Sequence, residues 1–155
     1  MRILFVCLGN ICRSPMAEGV VRAELERRGL LDRVELDSAG TGDWHVGEPP
    51  DPRARRAAAA RGVDISGLRG RQVSPADFSR FDLILAMDRD NHADLLAMAG
   101  DAQAHKVRMF LQFARQGDGG EVPDPYFGGP EGFEHVLDLL QDAAAGLADH
   151  IERHT

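Results

Sequence analysis

The sequence is poor in cysteine, tryptophan and tyrosine. It contains two cysteines, one tryptophan and one tyrosine. Cys7 and Cys12 are too few and too close together for a secreted scaffold held by disulfides, and no second ligand pair follows for structural zinc. No stretch approaches the roughly 18 consecutive apolar residues of a membrane span, and the apolar residues 1–6 are too short for a signal peptide. We therefore expect a cytoplasmic protein with free thiols.

The charge balance is acidic, with a formal net charge of −7, while 43% of the residues are hydrophobic and 28% are charged. This is the composition of an ordinary globular protein, and the length suits one domain over residues 1–155. An acidic surface disfavours nucleic acid and anionic membranes as main partners. It does not exclude an anionic substrate, because a local site can be positive within an acidic protein.

Apolar runs alternate with helical patterns along the chain. Such alternation predicts an α/β fold in which helices cover both faces of a parallel sheet, with ligands at the carboxyl ends of the strands. The final helix is the clearest, because apolar residues recur at helical spacing and Pro130 fits its first turn. We expect strands at residues 2–7, 34–38, 81–86 and 107–110, and helices at residues 14–28, 51–61, 91–99 and 133–151.

Residues 7–15 join the first strand to the first helix and read Cys-Leu-Gly-Asn-Ile-Cys-Arg-Ser-Pro. Gly9 and Asn10 both tolerate left-handed backbone, so the loop can curl back on itself. Ser14 fits the helix N-cap and Pro15 the first helical position. Converging loop N–H groups and the helix dipole would then form a cradle for a tetrahedral oxyanion.

Two side chains give this loop its chemistry. Arg13 offers a bidentate fork to two phosphate oxygens. The same positive field favours the thiolate of Cys7, which can attack phosphorus in line, and the Ser14 hydroxyl can hydrogen-bond that thiolate. The alternative is a buried structural cysteine, which is the common role of a lone cysteine. Other phosphate loops do not fit, since the lysine of the nucleotide-binding P-loop and the G-x-G-x-x-G pattern are both missing.

The loop resembles the signature loop of low-molecular-weight protein tyrosine phosphatases, at the place near the N-terminus where that family has it. Further matching segments follow in order: Asp37–Thr41, Trp44, Gly62–Ser66, Arg71-Gln72, Met87-Asp88 and Asp124-Pro125-Tyr126. The resemblance covers nearly the whole chain. It implies a single-domain four-stranded parallel sheet with helices on both faces, and phosphomonoester hydrolysis without a metal or another cofactor.

The resemblance also implies the roles of the site residues. Cys7 would be the nucleophile, Arg13 the phosphate clamp and Asp124 the general acid that protonates the leaving tyrosyl oxygen. The alternative for Asp124 is that its Asp-Pro pair simply forms a turn. The residues expected to bind substrate are Leu8, Gly9, Asn10, Ile11, Cys12, Ser14, Trp44 and Tyr126.

Several of these assignments have a structural alternative. Ser38 is expected to brace the loop together with Asn10, as the matching residues do in the family, or else only to end a strand. Asp88 resembles a supporting site carboxylate and equally fits a helix N-terminal Asp. Trp44 and Tyr126 are expected to be walls for a flat aromatic substrate. A lone Trp is usually in the core, but Trp44 lies among glycine, proline and charged residues.

The resemblance implies a redox role for Cys12, which in this family can pair with the nucleophile under oxidation and protect it; the alternative is a small buried side chain. Two positions depart from the family pattern. Leu68 stands where members often carry a histidine, and Phe127 replaces a second tyrosine that could be phosphorylated. The six histidines match no metal-binding motif, so we expect them at the surface.

The implied partner is a phosphotyrosine-bearing protein, a tyrosine kinase being one candidate, and the implied assembly is a monomer or a weak dimer. Three rival functions stay open. An arsenate reductase is disfavoured because no cysteine follows Cys12. A phosphoarginine phosphatase has a small Thr where Ile11 stands. A non-catalytic phosphotyrosine-binding module is disfavoured because Cys7, Arg13 and Asp124 are all present.

Overall fold

The computed structural model describes residues 1–117, 120–126 and 128–154, so Phe127 lies outside the described residues. Four strands form a single sheet in the order β2-β1-β3-β4, and each neighbouring pair is parallel. The strands are β1 (Arg2–Cys7), β2 (Glu35–Gly40), β3 (Leu83–Ala86) and β4 (Val107–Met109).

Helices connect the strands and close the chain. They are α1 (Arg13–Arg27), α2 (Pro52–Ala59), α3 (Asp77–Arg80), α4 (Arg89–Gln103) and α5 (Pro130–His154). Short 3₁₀ helices cover residues 31–33, 104–106 and 110–113. Helix α5 carries its buried residues at the predicted helical spacing, from Phe133 to Ile151. None of the described helices combines the length and the apolarity needed to cross a membrane.

The residues of β1 alternate between two apolar clusters, as strand geometry requires. Ile3 and Phe5 pack with residues of α1, α2 and α5, whereas Leu4 and Val6 pack on the other side of the sheet with Phe78 and Leu95, which belong to α3 and α4. Both faces of the sheet are therefore covered by helices. The predicted α/β fold, with a four-stranded parallel sheet between helices, is confirmed.

Several element ends differ from the sequence prediction. Phe81 was expected to begin a strand, but its N–H bonds to the Asp77 carbonyl and ends α3, so β3 begins at Leu83. Helix α4 is longer than expected, because it starts after the N-cap Asp88 and continues through a break at Gly100, where φ is 70°. The end of α3 and the start of α4 are each set by a single hydrogen bond, which apolar periodicity does not report.

Candidate active site

The loop between β1 and α1 lies at the carboxyl end of the sheet. Asn10 has a positive φ of 59°, the left-handed conformation predicted for this part of the loop. The helix start was predicted incorrectly. Cys12 is the N-cap and Arg13 the first helical residue, so Ser14 lies inside the first turn. Ser14 does not cap the helix because its hydroxyl is turned toward the loop, where it meets the sulfur of Cys7.

Two polar groups contact the sulfur of Cys7. The Ser14 Oγ lies 3.0 Å from Sγ, and the Asn10 backbone N–H donates to Sγ at 3.3 Å. Ser14 Oγ also lies 3.4 Å from the Ala39 carbonyl oxygen. A hydroxyl has one proton, so it can donate either to Ala39 or to the sulfur. When Cys7 is a thiolate, donation to the nearer sulfur is favoured, and both contacts then stabilise the negative charge.

The side chain of Asn10 links the loop to β2. Its Oδ1 accepts the Arg71 backbone N–H at 2.9 Å, which fixes the amide orientation. Its Nδ2 then donates to Ser14 Oγ at 2.8 Å and to Ser38 Oγ at 3.1 Å. All three bonds are buried or half-buried, so the amide holds the hydroxyl of Ser14 in place beneath the sulfur of Cys7.

Gly40 lets β2 approach the loop closely. A Cβ on this residue would lie 2.8 Å from the Leu8 carbonyl oxygen and 3.2 Å from the Asn10 Cβ. Since a real Cβ does not come this close to backbone oxygen, a side chain here would push the loop away from the strand. The glycine is thus required by the position of the loop rather than by an unusual φ.

Arg13 is buried, with 3% of its surface exposed. Its Nη1 donates to Asp88 Oδ2 at 2.6 Å and to the Val122 carbonyl at 3.1 Å. Burial lowers the pKa of Arg13, but the negative charges of Cys7, Asp88 and Asp124 outweigh it and raise the pKa above its usual value. The guanidinium therefore stays charged and held in one orientation at the site.

Asp88 both caps a helix and contacts Arg13, the two roles suggested for it by the sequence. Its Oδ1 accepts the Asn91 backbone N–H at 2.8 Å and so caps α4, while its Oδ2 accepts from Arg13. The two interpretations are compatible because a carboxylate has two oxygens, and each of them takes one partner.

Asp124 lies at the edge of the same site, on the loop before α5. Its Oδ2 is 3.8 Å from Arg13 Nη2, and 44% of its side chain is exposed. Its Oδ1 accepts the Tyr126 backbone N–H at 3.0 Å. The loop is fastened to the sheet at Val122, whose N–H bonds to the Met87 carbonyl just after β3. The carboxyl group thereby lies beside Arg13 and still reaches solvent.

A cavity of about 250 Å³ opens above the sulfur of Cys7. Trp44 and Tyr126 form part of its wall and remain 67% and 38% exposed. All three predicted catalytic residues line it. Among the predicted substrate-binding residues, Asn10 and Ser14 lie behind the loop, and the others line the cavity: Leu8, Gly9, Ile11, Cys12, Trp44 and Tyr126.

His45 also lines this cavity, although it was not among the predicted site residues. Its side chain is 29% exposed, and its Nδ1 lies 2.7 Å from Glu48 Oε2. The ring rests on the loop, with Cδ2 3.2 Å from the place that a Cβ on Gly9 would occupy. Its position next to Trp44 was the available signal in the sequence. Because His45 belongs to no metal-binding motif, its place in the site was not predicted.

Cys12 is buried beside the site, and both cysteines are free thiols. Burial raises the pKa of the Cys12 thiol strongly, and the nearby negative charges of Asp51, Cys7 and Asp124 raise it further. Cys12 is therefore a neutral thiol at physiological pH, unlike a nucleophilic cysteine.

Comparison with known proteins defines the class to which this fold and site belong. The model of the family described as low molecular weight phosphotyrosine protein phosphatase matches residues 2–155. A low molecular weight protein-tyrosine-phosphatase of Streptomyces coelicolor is 46% identical over 149 residues, which cover 94% of this chain and 90% of the relative. The chain thus has the sequence of a protein tyrosine phosphatase over nearly its whole length.

Solved structures agree with the sequence relatives. A protein tyrosine phosphatase from Entamoeba histolytica has a TM-score of 0.96 and 40% identity, covering 99% of this chain and 98% of that one. The arginine phosphatase YwlE has a TM-score of 0.88 at 28% identity, covering 98% and 96% of the two chains. The chain belongs to the low molecular weight phosphotyrosine protein phosphatase family, which confirms the resemblance seen in its sequence.

Proposed function

We propose that this enzyme hydrolyses phosphotyrosine monoesters on proteins through a phosphocysteine intermediate on Cys7. The observation that carries the proposal is the placement of the Cys7 sulfur. It lies between the Ser14 hydroxyl and the Asn10 N–H, at the base of a cavity that Arg13 and Asp124 also line.

Arg13 binds the phosphoryl group in this mechanism. Its Nη1 carries two N–H groups, which are directed at Asp88 and the Val122 carbonyl. The opposite edge of the guanidinium, formed by Nε and Nη2, is assigned to two phosphoryl oxygens. Loop N–H groups and the start of α1 complete the cradle for the dianion.

The chemistry takes two steps. The Cys7 thiolate forms an S–P bond as the P–O bond to tyrosine breaks, and Asp124 gives its proton to the leaving oxygen. A water molecule then forms a P–O bond as the S–P bond breaks, and the Asp124 carboxylate takes the water proton. Phosphate leaves, and the thiolate is again stabilised by Ser14 and Asn10.

The walls of the cavity favour an aromatic substrate. Trp44 and Tyr126 present flat surfaces above the loop, suited to a phenyl ring whose phosphate reaches the sulfur. The rival substrate is phosphoarginine, since an arginine phosphatase shares this fold. The bulkier Ile11, which lines the cavity, supports the aromatic ester, because phosphoarginine phosphatases resemble this loop with a small Thr at that position.

Rates on phosphotyrosine, phosphoarginine and phosphoserine peptides, measured side by side, test the substrate class. We expect the highest kcat/KM on phosphotyrosine, and Ile11→Thr should shift the ratio toward phosphoarginine. A wild-type preference for phosphoarginine would refute the proposal. Cys7→Ser should abolish turnover, since a hydroxyl is not ionised at neutral pH.

A leaving-group series tests the role of Asp124. Asp124→Asn should slow the first turnover of phenyl phosphate by roughly 10²–10⁴-fold, the usual span of general acid catalysis. The loss should be smaller on p-nitrophenyl phosphate, whose phenol needs the proton less. Rapid-quench measurement isolates this first step, and a loss that is equal for both esters would remove the acid role.

The proposal also covers the setting of the enzyme. Its partner would be a phosphotyrosine-bearing protein, with a tyrosine kinase as one candidate. A reducing cytoplasm suits the mechanism because it keeps the sulfur of Cys7 reduced and out of disulfides. Under peroxide, Cys7 would become a sulfenic acid with release of hydroxide, and the Cys12 thiol would condense with it, releasing water and forming a reversible disulfide.

A further inference from the structure

Asp51 and Arg53, at the start of α2, form a link between the phosphate loop and the loop that carries Asp124. The Asp51 backbone N–H donates to the Ile11 carbonyl at 2.8 Å, which fastens the start of α2 to the phosphate loop. Its Oδ1 accepts the Arg53 backbone N–H at 2.8 Å and so caps the helix. Asp51 is therefore fixed by the backbone on both sides.

The Asp51 carboxylate in turn holds the Arg53 guanidinium. Nε bonds to Oδ1 at 3.1 Å and Nη2 to Oδ2 at 3.0 Å, a two-point fork that fixes the plane of the guanidinium. Its Cζ lies 5.3 Å from the centroid of the Tyr126 ring and 5.0 Å from that of Phe133. Arg53 thus connects α2 both to the cavity wall and to the first turns of α5.

Tyr126 and Asp124 are joined by a hydrogen bond within one loop. The Tyr126 N–H donates to Asp124 Oδ1, and the other oxygen of that carboxylate lies 3.8 Å from Arg13. Asp124 itself is nearly half exposed, so the protein packs around only part of it. Support for the Tyr126 ring therefore reaches the carboxyl group through one peptide hydrogen bond and two residues of backbone.

We infer that Arg53 is a positioning residue for acid catalysis: held in place by Asp51, it supports Tyr126 and so orients the Asp124 carboxyl over the leaving oxygen. The inference rests on the proposed function, in which Asp124 is the acid. An error of about 1 Å in the position of a catalytic group can cost on the order of 10²-fold in rate, so a support outside the reacting atoms has a measurable effect.

Two other roles for Arg53 give different results. If it contacts the substrate protein directly, its loss should raise KM for peptides and leave small aryl phosphates unaffected. If it only stabilises the fold, its loss should lower the melting temperature and reduce every rate alike. A positioning role should appear in the proton-transfer step alone, and only while Asp124 is there to be positioned.

The test uses Arg53→Gln and Arg53→Lys, with Arg56→Gln as control, since Arg56 is an exposed residue of the same helix. First turnovers of phenyl phosphate and p-nitrophenyl phosphate are measured by rapid quench, each in the wild-type and in the Asp124→Asn background. Melting temperatures are recorded for all variants. Lysine keeps the cation but cannot reproduce the fork on Asp51, so it should restore part of the rate.

We expect Arg53→Gln to slow phenyl phosphate roughly tenfold, in line with the loss of one cation–π support, and p-nitrophenyl phosphate less. In the Asp124→Asn background the loss should fall below about twofold. Arg56→Gln should match the wild type. If Arg53→Gln does not fold, Arg53→Lys is judged by the same two comparisons.

Three results would overturn the positioning role while leaving Asp124 as the acid. They are an equal loss of first-turnover rate in both backgrounds, a change confined to KM, and no loss of rate at all. If Asp124→Asn itself shows no leaving-group dependence, the acid assignment fails, and the role of Arg53 fails with it. The Arg53 variants thus test the positioning role, and Asp124→Asn separately tests the acid role.

Discussion

Asp88→Asn separates two functions that one carboxylate performs in this structure. Asp88 Oδ1 caps α4 through Asn91, and Oδ2 orients the buried Arg13. An asparagine keeps the capping oxygen, but it then turns an NH₂ group toward the Arg13 cation. Capping should survive the substitution, whereas the guanidinium loses the partner that fixes its plane.

The size of the effect follows from the type of bond that is lost. A hydrogen bond to a charged, buried group contributes about 1.5–3 kcal/mol, and about 1.4 kcal/mol corresponds to tenfold in a rate or binding ratio. We therefore expect kcat/KM to fall by about 10- to 100-fold. Asp88→Ala should lose a similar factor and in addition the cap, worth about 1 kcal/mol, which lowers Tm by about 2–4 °C in a protein of this size.

Steady-state rates on p-nitrophenyl phosphate, phosphate inhibition constants and thermal melts of both variants make the comparison. One result would refute the reasoning. Removing a carboxylate also raises the positive potential at the site, so a purely electrostatic role predicts tighter phosphate binding with an unchanged kcat. If Asp88→Asn behaves in that way, Asp88 balances the charge of Arg13 rather than orienting it.

Two further predictions concern buried groups beside the site. After mild peroxide, thiol should restore less activity to Cys12→Ser than to the wild type, because Cys7 proceeds to sulfinic acid; equal recovery would remove the protective role. Glu18 is buried, with its Oε1 unpartnered among the described residues, and burial raises its pKa, so the folded state holds this proton more tightly. The free energy of unfolding should then fall as pH rises above about 4.3, and Glu18→Gln should escape that loss. Urea unfolding of both proteins at about pH 4.5 and about pH 8 measures this. If the two proteins differ in unfolding free energy by the same amount at both pH values, the prediction is contradicted.

The parts of the fold with a local signature were predictable from the sequence. Helix α5 was predictable because its apolar spacing runs through the whole element, and β1 because its apolar run is continuous. Glu24 shows the limit of such patterns. It is a charged residue within the apolar arc of α1, and it accepts from Arg28, which also binds Asp149 of α5. The pairing of Arg28 with Asp149 spans 121 positions of the chain and leaves no local pattern.

In the site, too, residues with a local sequence pattern were predictable and residues joined only by tertiary contacts were not. Cys7 and Arg13 belong to one continuous loop, so their chemistry could be read from neighbouring residues. Asp88 and Asp124 were suggested by the family resemblance, and the sheet brings them to the same edge. His45 and Arg53 belong to the site only through tertiary contacts, one with the loop at Gly9 and the other with Tyr126. The only local sign for His45 is its position next to Trp44, and nothing in the local sequence of Arg53 distinguishes it from a surface residue.

The strand order β2-β1-β3-β4 has a consequence for how such enzymes can diversify. Cys7 ends the central strand β1, the segment with Trp44 and His45 leaves the sheet on one side of it, and the segment with Asp124 is fastened after β3 on the other. The Trp44 wall of the cavity and the loop that carries Asp124 and Tyr126 therefore lie in separate stretches of chain. Under the proposed function, an inherited change in residues 41–50 can alter the Trp44 wall and with it the preferred substrate, while the loop that carries Asp124 is left untouched.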